Sequence, residues 1–303
     1  MKNLRNSAAT GVAFFLIACG GSNVAPSAPT MSVAPAAYKG LDALYVVDEK
    51  QAEVQVLKNG TYALEATITK GLAYPTGDWL DADGNLYVAD THNHAIIEYK
   101  PGGSSPSFSY YAVEPYGAIA TDLKGNVYAG DAAGGQGYGG VLEYRQGVKN
   151  AVSNCNTHGN PDGVAVDSNG DVFAAVDGQD FESIFEFKGG LKRCKYTTLV
   201  SIGLLGGMAI DKNKNLVVTE PQEKAVAILA PPYSKVTGTL GSGYSVPESV
   251  TLSSDNKLAF VTDVGKNEVF VVDYPSGKLV KAIGKANGLK TPVRAVDGPN
   301  AVY

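Results

Sequence analysis

An aspartate followed by a tight polar turn and an apolar strand recurs along this chain at Asp81, Asp122, Asp167 and Asp211, spaced 41, 45 and 44 residues apart. Ser253 takes the equivalent place 42 residues further on, and Asp297 follows after another 44. The clearest copy of the unit is PTGDWLDADGNLYVADTHNHAIIEYKP, residues 75–101. In it a short strand ends at Asp81, whose carboxylate can fold back onto turn N–H groups. Gly84 can take the left-handed conformation of a bulged hairpin at no steric cost. A second strand ends at Asp90, and a third covers residues 95–99. The strands are β-branched and aromatic, as half-buried pleated surfaces prefer. A period in the low forties with four strands per unit predicts an all-β β-propeller.

The blade count follows from the two ends. The first unit, from about Leu41, has second, third and fourth strands but no clear first one, whereas Pro292-Val293-Arg294-Ala295-Val296-Asp297 is a first strand without the rest. The halves complement each other, so the expectation is a six-bladed propeller over residues 38–303. The C-terminal strand would close the N-terminal blade and leave no unpaired sheet edge. Near-continuous apolar second strands fit burial on both faces, between neighbouring blades. Outside the leader no stretch shows a helical period.

The leader reads as an address. Lys2 and Arg5 precede an apolar stretch, residues 11–17, too short to span a bilayer. It ends in Leu16-Ile17-Ala18-Cys19-Gly20, which resembles the lipobox of bacterial lipoproteins, with Cys19 as the lipidated residue. The expected division is a signal peptide at 1–18, a lipidated Cys19 with an Ala/Pro/Ser tether to 37, and then the propeller. Gly20, rather than Asp, after the Cys implies by the same resemblance an outer-membrane address in a double-membrane bacterium, and so a cell-envelope protein.

Of 25 lysines and arginines, Lys2 and Arg5 belong to the leader, and the remaining 23 face 30 acidic side chains. The basic residues look scattered along the chain, with no run suited to phosphates, so no nucleic-acid partner is expected. Cys155 and Cys194 form an even pair in a compartment that permits disulfides. However, Cys155 lies eight residues before Gly163 and Cys194 thirteen before Gly207, which places them at different heights in successive units. Their pairing stays open.

The pattern Pro-x-Gly, apolar strand, Asp-x-x-Gly-Asn, Tyr-Val-Ala-Asp, Asn-His resembles the NHL repeat, most closely at residues 75–97 and 161–177. Lys214 replaces the turn Gly in the fifth unit, and Ser253 and Asn256 alter the sixth. By analogy of fold, the loops joining strands two and three share one face with the loops leading into strand one, at the mouth of a central tunnel. That face would carry Tyr116, Tyr138, His92, His158, Tyr244, Glu248 and Arg294, with Tyr138 centred in the Gly-rich insert at 134–140.

Two sets of residues invite a metal reading. Asp48, Asp90, Asp131, Asp177, Glu220 and Asp263 each end or follow a second strand, and a ring of carboxylates suits Ca²⁺. The competing reading is that in every blade the acid accepts hydrogen bonds from the next loop's backbone. His92, His94 and His158 are a chemically acceptable Zn²⁺ set, although His94 stands where NHL repeats keep a packing residue. The Gly-rich insert lacks the Lys-Ser/Thr of a phosphate-binding loop, and no Gly-x-Ser-x-Gly elbow occurs. The expectation is therefore a monomeric binding scaffold for a protein or glycan. The alternative is a metal-dependent enzyme, since similar propellers include lactonases and lyases with a metal at the tunnel mouth. In that case His92, His158 and the acidic ring would be ligands, and Arg294 would hold substrate.

Overall fold

The computed structural model describes residues 42–133, 139–178, 182–298 and 302–303. Cys19, the leader, the tether and Tyr138 lie outside the described residues.

Blades two to six share one turn between their first and second strands. Asp81 Oδ1 accepts the backbone N–H groups of Asp83 and Asn85 at 3.0 and 2.8 Å, while Oδ2 accepts Asn85 Nδ2 and the Tyr87 hydroxyl. Asp122 and Asp211 repeat this, to Lys124 and Asn126 and to Asn213 and Asn215. The two degraded turns keep the shape. Lys214 and Asn256 take the left-handed conformation that Gly84 takes in the second unit. Ser253 Oγ replaces the carboxylate, accepting Leu258 N at 2.9 Å.

These hairpins extend into six four-stranded antiparallel sheets. Blade two is Pro75–Leu80, Leu86–Asp90, Ala95–Tyr99 and Pro106–Tyr111. Blade one is Ala43–Asp48, Glu53–Lys58 and Leu64–Ile68, completed by Pro292–Asp297, which pairs with Ala43–Asp48 through Leu44↔Asp297 and Val46↔Ala295. The expected closure is present. The first strands of blades three to six are Pro115–Thr121, Asn160–Val166, Met208–Ile210 and Pro247–Leu252. Each innermost strand packs on the next, and blade six packs on Pro292–Asp297, so the ring is complete. Fourth strands are weakest, and that of blade five shrinks to Gly238–Thr239.

The core lies between blades. Tyr45, Val47 and Val56 of blade one pack with Leu86, Val88 and Ile97 of blade two, and Tyr87, Ile96 and Tyr110 of blade two pack with Ile119, Ala129 and Tyr144 of blade three. Second strands are buried from end to end in blades one, two and three. A fully buried Val, Leu or Ile side chain contributes about 1.5–3 kcal/mol, so the interblade layers are the main source of stability.

Cys155 and Cys194 are joined in a disulfide, with Cα atoms 5.0 Å apart. The repeat register had left this pairing open, because it placed the two cysteines at different heights in successive units. Cys155 does lie on the fourth strand of blade three, Ser153–Asn156, but Cys194 follows a short 3-10 turn, Leu191–Arg193, in the connection between the third and fourth strands of blade four. That connection reaches across to its neighbour, so strand height does not govern it.

Candidate functional site

The Pro-x-Gly segments build the site through one backbone irregularity. In blade two Pro75 pairs with Asp90 and Gly77 with Ala89, leaving Thr76 without a partner in the ladder. The same skip leaves Asp162 out in blade four, Glu248 in blade six and Val293 in blade one, and Tyr116 lies within the corresponding shift of blade three. A bulge re-aims the extra residue and ends regular pairing. Here it turns five side chains, one per blade, toward the axis. Thr76, Tyr116, Asp162, Glu248 and Val293 line one cavity of about 240 Å³, together with Glu49, Gly117, Ser249, Val264 and Arg294.

Arg294 is the floor. It occupies the position that is Gly77, Gly117, Gly163 and Gly207 in other blades, and it is only 6% exposed. Its Nη1 donates to the Gly117 carbonyl of blade three. A Cβ on Gly207 of blade five would lie 2.8 Å from its Nη2. One long side chain from blade one thus crosses the tunnel, and it fits because two facing positions have no side chain. Gly77 has a different constraint: a Cβ there would meet the Gly117 carbonyl oxygen at 2.0 Å.

Acids surround this guanidinium, yet none makes an ion pair with it among the described residues. Asp78, 1% exposed on the first strand of blade two, has neither carboxyl oxygen bonded to another described residue. Burial pushes its pKa up to about 8, against the partial relief of the Arg294 charge. Asp162 is also raised to about 8, by burial first and then by the Glu248 and Asp177 carboxylates. Glu248 is raised by burial, partly offset by Arg294. The Tyr116 hydroxyl is pushed up to about 12 by burial and by Glu248 and Asp162. Burial lowers Arg294, while Asp78, Glu248 and Asp162 hold it up. The cavity therefore holds more carboxyl groups than its one cation can neutralise, and Asp162 and Glu248 keep their protons to higher pH than usual.

Of the residues singled out in the sequence, Tyr116, Glu248 and Arg294 meet here. His92 is exposed beside the mouth and stacks on Tyr74, with ring centroids 4.6 Å apart. His158 is exposed on the loop into blade four and does not line the cavity. His94 takes φ 52° and its Nδ1 meets the Val113 carbonyl, a packing role. Tyr244 is not on the binding face. It is 6% exposed, donates to the Leu240 carbonyl at 3.1 Å and packs edge-on against Phe270, because its loop folds inward over blade six. Asp78, Asp162, Glu49 and Thr76 were not singled out. Asp78 carried a usable signal, since the same place is Ala118, Val164, Met208, Val250 or Ala295 in the other blades.

Four of the six acids of the expected ring, Asp48, Asp90, Asp131 and Asp263, are engaged with backbone. Asp90 accepts Ala73 N, Tyr74 N and Asn93 N at 2.7–3.1 Å, and Asp131 accepts Val113 N, Glu114 N and Ala133 N. Asp263 accepts Ser245 N, Val246 N and Lys266 N, and Asp48 accepts Lys290 N and Thr291 N. In each case the carboxylate pins the loop leading into the first strand of its own blade. Glu220 is 8% exposed, and burial and the nearby Glu223 raise its pKa. Among the described residues no group of three His, Cys, Asp or Glu side chains is gathered as a Ca²⁺ or Zn²⁺ ion would need.

No family model matches the chain, and no curated protein matches it. Solved structures do share its fold. A protein of unknown function from Bacteroides caccae superposes with a TM-score of 0.66 at 12% identity, covering 84% of this chain and 98% of that one. A chain of a nidogen/laminin complex gives 0.65 at 16% identity, covering 84% and 97%. A functionally unknown protein from Desulfotomaculum acetoxidans DSM 771 gives 0.60 at 12%, covering 86% and 100%. These likenesses show the six-bladed propeller.

Proposed function

We propose that this protein is an exported, lipid-anchored, NHL-like propeller acting as a binding scaffold, and that its mouth cavity receives a cationic side chain of a protein partner. Lys2, Arg5, the apolar stretch at 11–17 and Cys19 support the address. The observation that carries the binding reading is the cavity itself. Glu49, Asp162 and Glu248 line it above one buried Arg294, and burial raises Asp162 and Glu248 by more than the Arg294 charge relieves. An ammonium or guanidinium group supplies that charge and is strengthened by the dry surroundings. A cavity of about 240 Å³ holds one side-chain tip, not a polymer segment. Tyr116 and the Tyr74–His92 stack offer flat aromatic surface around it, of the kind that accepts cations and anchors interfaces. One fold neighbour is seen in a nidogen/laminin complex, so a propeller of this shape occurs in a protein assembly.

Calorimetric titration of the full chain with N-acetyl-arginine amide, N-acetyl-lysine amide and N-acetyl-leucine amide tests this. A cationic probe should bind at least about tenfold more tightly than the neutral one, about 1.4 kcal/mol, and Glu248→Gln with Asp162→Asn should abolish the difference. Asp162 must lose its proton to meet a cation. Affinity should therefore rise as pH passes through about 8 and level off above it, once that carboxyl is ionised. Equal binding of all three probes would overturn the assignment.

A further inference from the structure

The side of the disc away from the mouth has a different character. First strands run away from the mouth, so the turns at their ends, such as residues 81–85 and 122–126, lie on this underside. The described chain also begins there, since Ala43–Asp48 runs toward the mouth from its pairing with Asp297. The connection between the third and fourth strands of blade four belongs to the same side: Gly189 N donates to Asp171 Oδ1 at 2.7 Å, beside the underside turn. In that connection Lys188, Lys192, Arg193 and Lys195 line one groove of about 620 Å³. All four are exposed, and none has an ion pair with a described residue. Glu186 is the acidic group lining the groove. The disulfide from Cys194 to Cys155 fixes the groove against blade three.

The underside of blade three adds an apolar component. Leu123 is 68% exposed, the highest of the large apolar side chains, and Val148 and Val152 are 42% and 45% exposed. They sit among exposed Lys124, Arg145 and Lys149. The two turns that carry these residues touch, since a Cβ on Gly125 would meet the Gln146 side chain at 3.4 Å. In an acidic protein, basic residues that look scattered along the sequence thus gather on one rim beside bare aliphatic groups.

We infer that the underside of blades three and four docks on an anionic lipid bilayer, with Lys188, Lys192, Arg193 and Lys195 on headgroup phosphates and Leu123, Val148 and Val152 in the interface. A soluble polyanion would satisfy the cations but not the aliphatic groups, whereas a bilayer surface takes both. The inference builds on the lipid-anchor reading proposed above. Blade one, where the described chain begins, and blade four lie across the ring from each other. With this underside rim on the bilayer, the mouth faces away from the membrane.

The test is cosedimentation of the full chain carrying Cys19→Ser with vesicles of neutral phosphatidylcholine, and with vesicles containing about a third phosphatidylglycerol. At about 0.1 M salt, where charges act over about 10 Å, the anionic vesicles should bind more protein, and about 1 M salt should remove the difference. A lysine or arginine at a bilayer surface contributes roughly fivefold in affinity, so Lys188→Glu with Lys192→Glu should cost at least about 25-fold on anionic vesicles. Leu123→Ser should weaken binding to those vesicles and leave binding to heparin unchanged. Fluorescence of the single tryptophan, Trp79, which bonds Thr121 between blades two and three, reports that each variant is folded. Equal binding to both vesicle types, insensitivity to the lysine changes, or binding to heparin but not to anionic vesicles would each overturn the inference. None of these outcomes bears on whether Cys19 is lipidated, which mass analysis of the mature N-terminus decides separately.

Discussion

Single side chains decide the chemistry of the mouth, and Asp78 is the sharpest case. Its folded pKa lies near 8, far above that of an exposed carboxyl, because it is buried without a bonding partner. Between the two values the unfolded chain has released the proton and the folded one has not. Stability from this group is therefore full at low pH and falls as pH rises through 4 to 8. Asp78→Asn keeps the shape and removes the titration. The melting temperature of the variant should fall less from pH 5 to 9 than that of the parent, because Asp162 and Glu248 still titrate in both while the loss due to Asp78, on the order of a few kcal/mol, is gone. A parallel decline in both would show that Asp78 ionises freely in the folded state. The sequence made part of this site legible: Tyr116, Glu248 and Arg294 stood out by their place where the chain enters first strands. Asp78 escaped notice because it was read as one more residue in an apolar strand. Tyr244 was misplaced for the opposite reason, because its loop position suggested exposure and nothing local showed that the loop folds inward.

Elements were the most legible level, since turn chemistry and strand alternation act locally. The bulge at Pro-x-Gly was visible only as a motif. Its consequence, that x points into the axis, depends on how six such strands converge. That convergence is tight. Gly77→Ala should drive a methyl against the Gly117 carbonyl, a backbone atom that cannot swing away. It should cost about 1–3 kcal/mol or more and lower the melting temperature by roughly 2–4 °C per kcal/mol. An unchanged melt would mean that the inner strands are more loosely packed than described. The disulfide shows where local reading fails, because repeat register says nothing about a connection that leaves the sheet. Closing a span of 39 residues, it should contribute about 3–4 kcal/mol by loop entropy. Cys155→Ser with Cys194→Ser, compared with the parent in thermal melts with and without reductant, measures that contribution.

At the scale of the whole molecule, ring closure was the boldest expectation drawn from the sequence, and it holds because two half-blades had no other partner. Removing residues 292–303 should expose the edge of Ala43–Asp48 and strip Val46 and Leu44 of Ala295, their packing neighbour. The shortened chain should aggregate or melt without cooperativity, as read by light scattering and calorimetry. A soluble, cooperatively melting product would show that the other five blades hold the ring unaided.

The strand that shuts the ring also carries Arg294, so the seam and the proposed binding site are a single piece of structure. The other walls come from blades two, three, four and six, and none of them makes a site alone. A molecule sprung at this seam loses its floor and with it all capacity to hold a partner, which makes occupancy a certificate that the ring is whole. The reverse also follows. A partner seated across several blades works as a clasp, adding about 2.7 kcal/mol against opening when it is present at a hundredfold excess over its dissociation constant. Under the proposed function, the protein becomes tougher where its partner is abundant and easier to dismantle where the partner is missing.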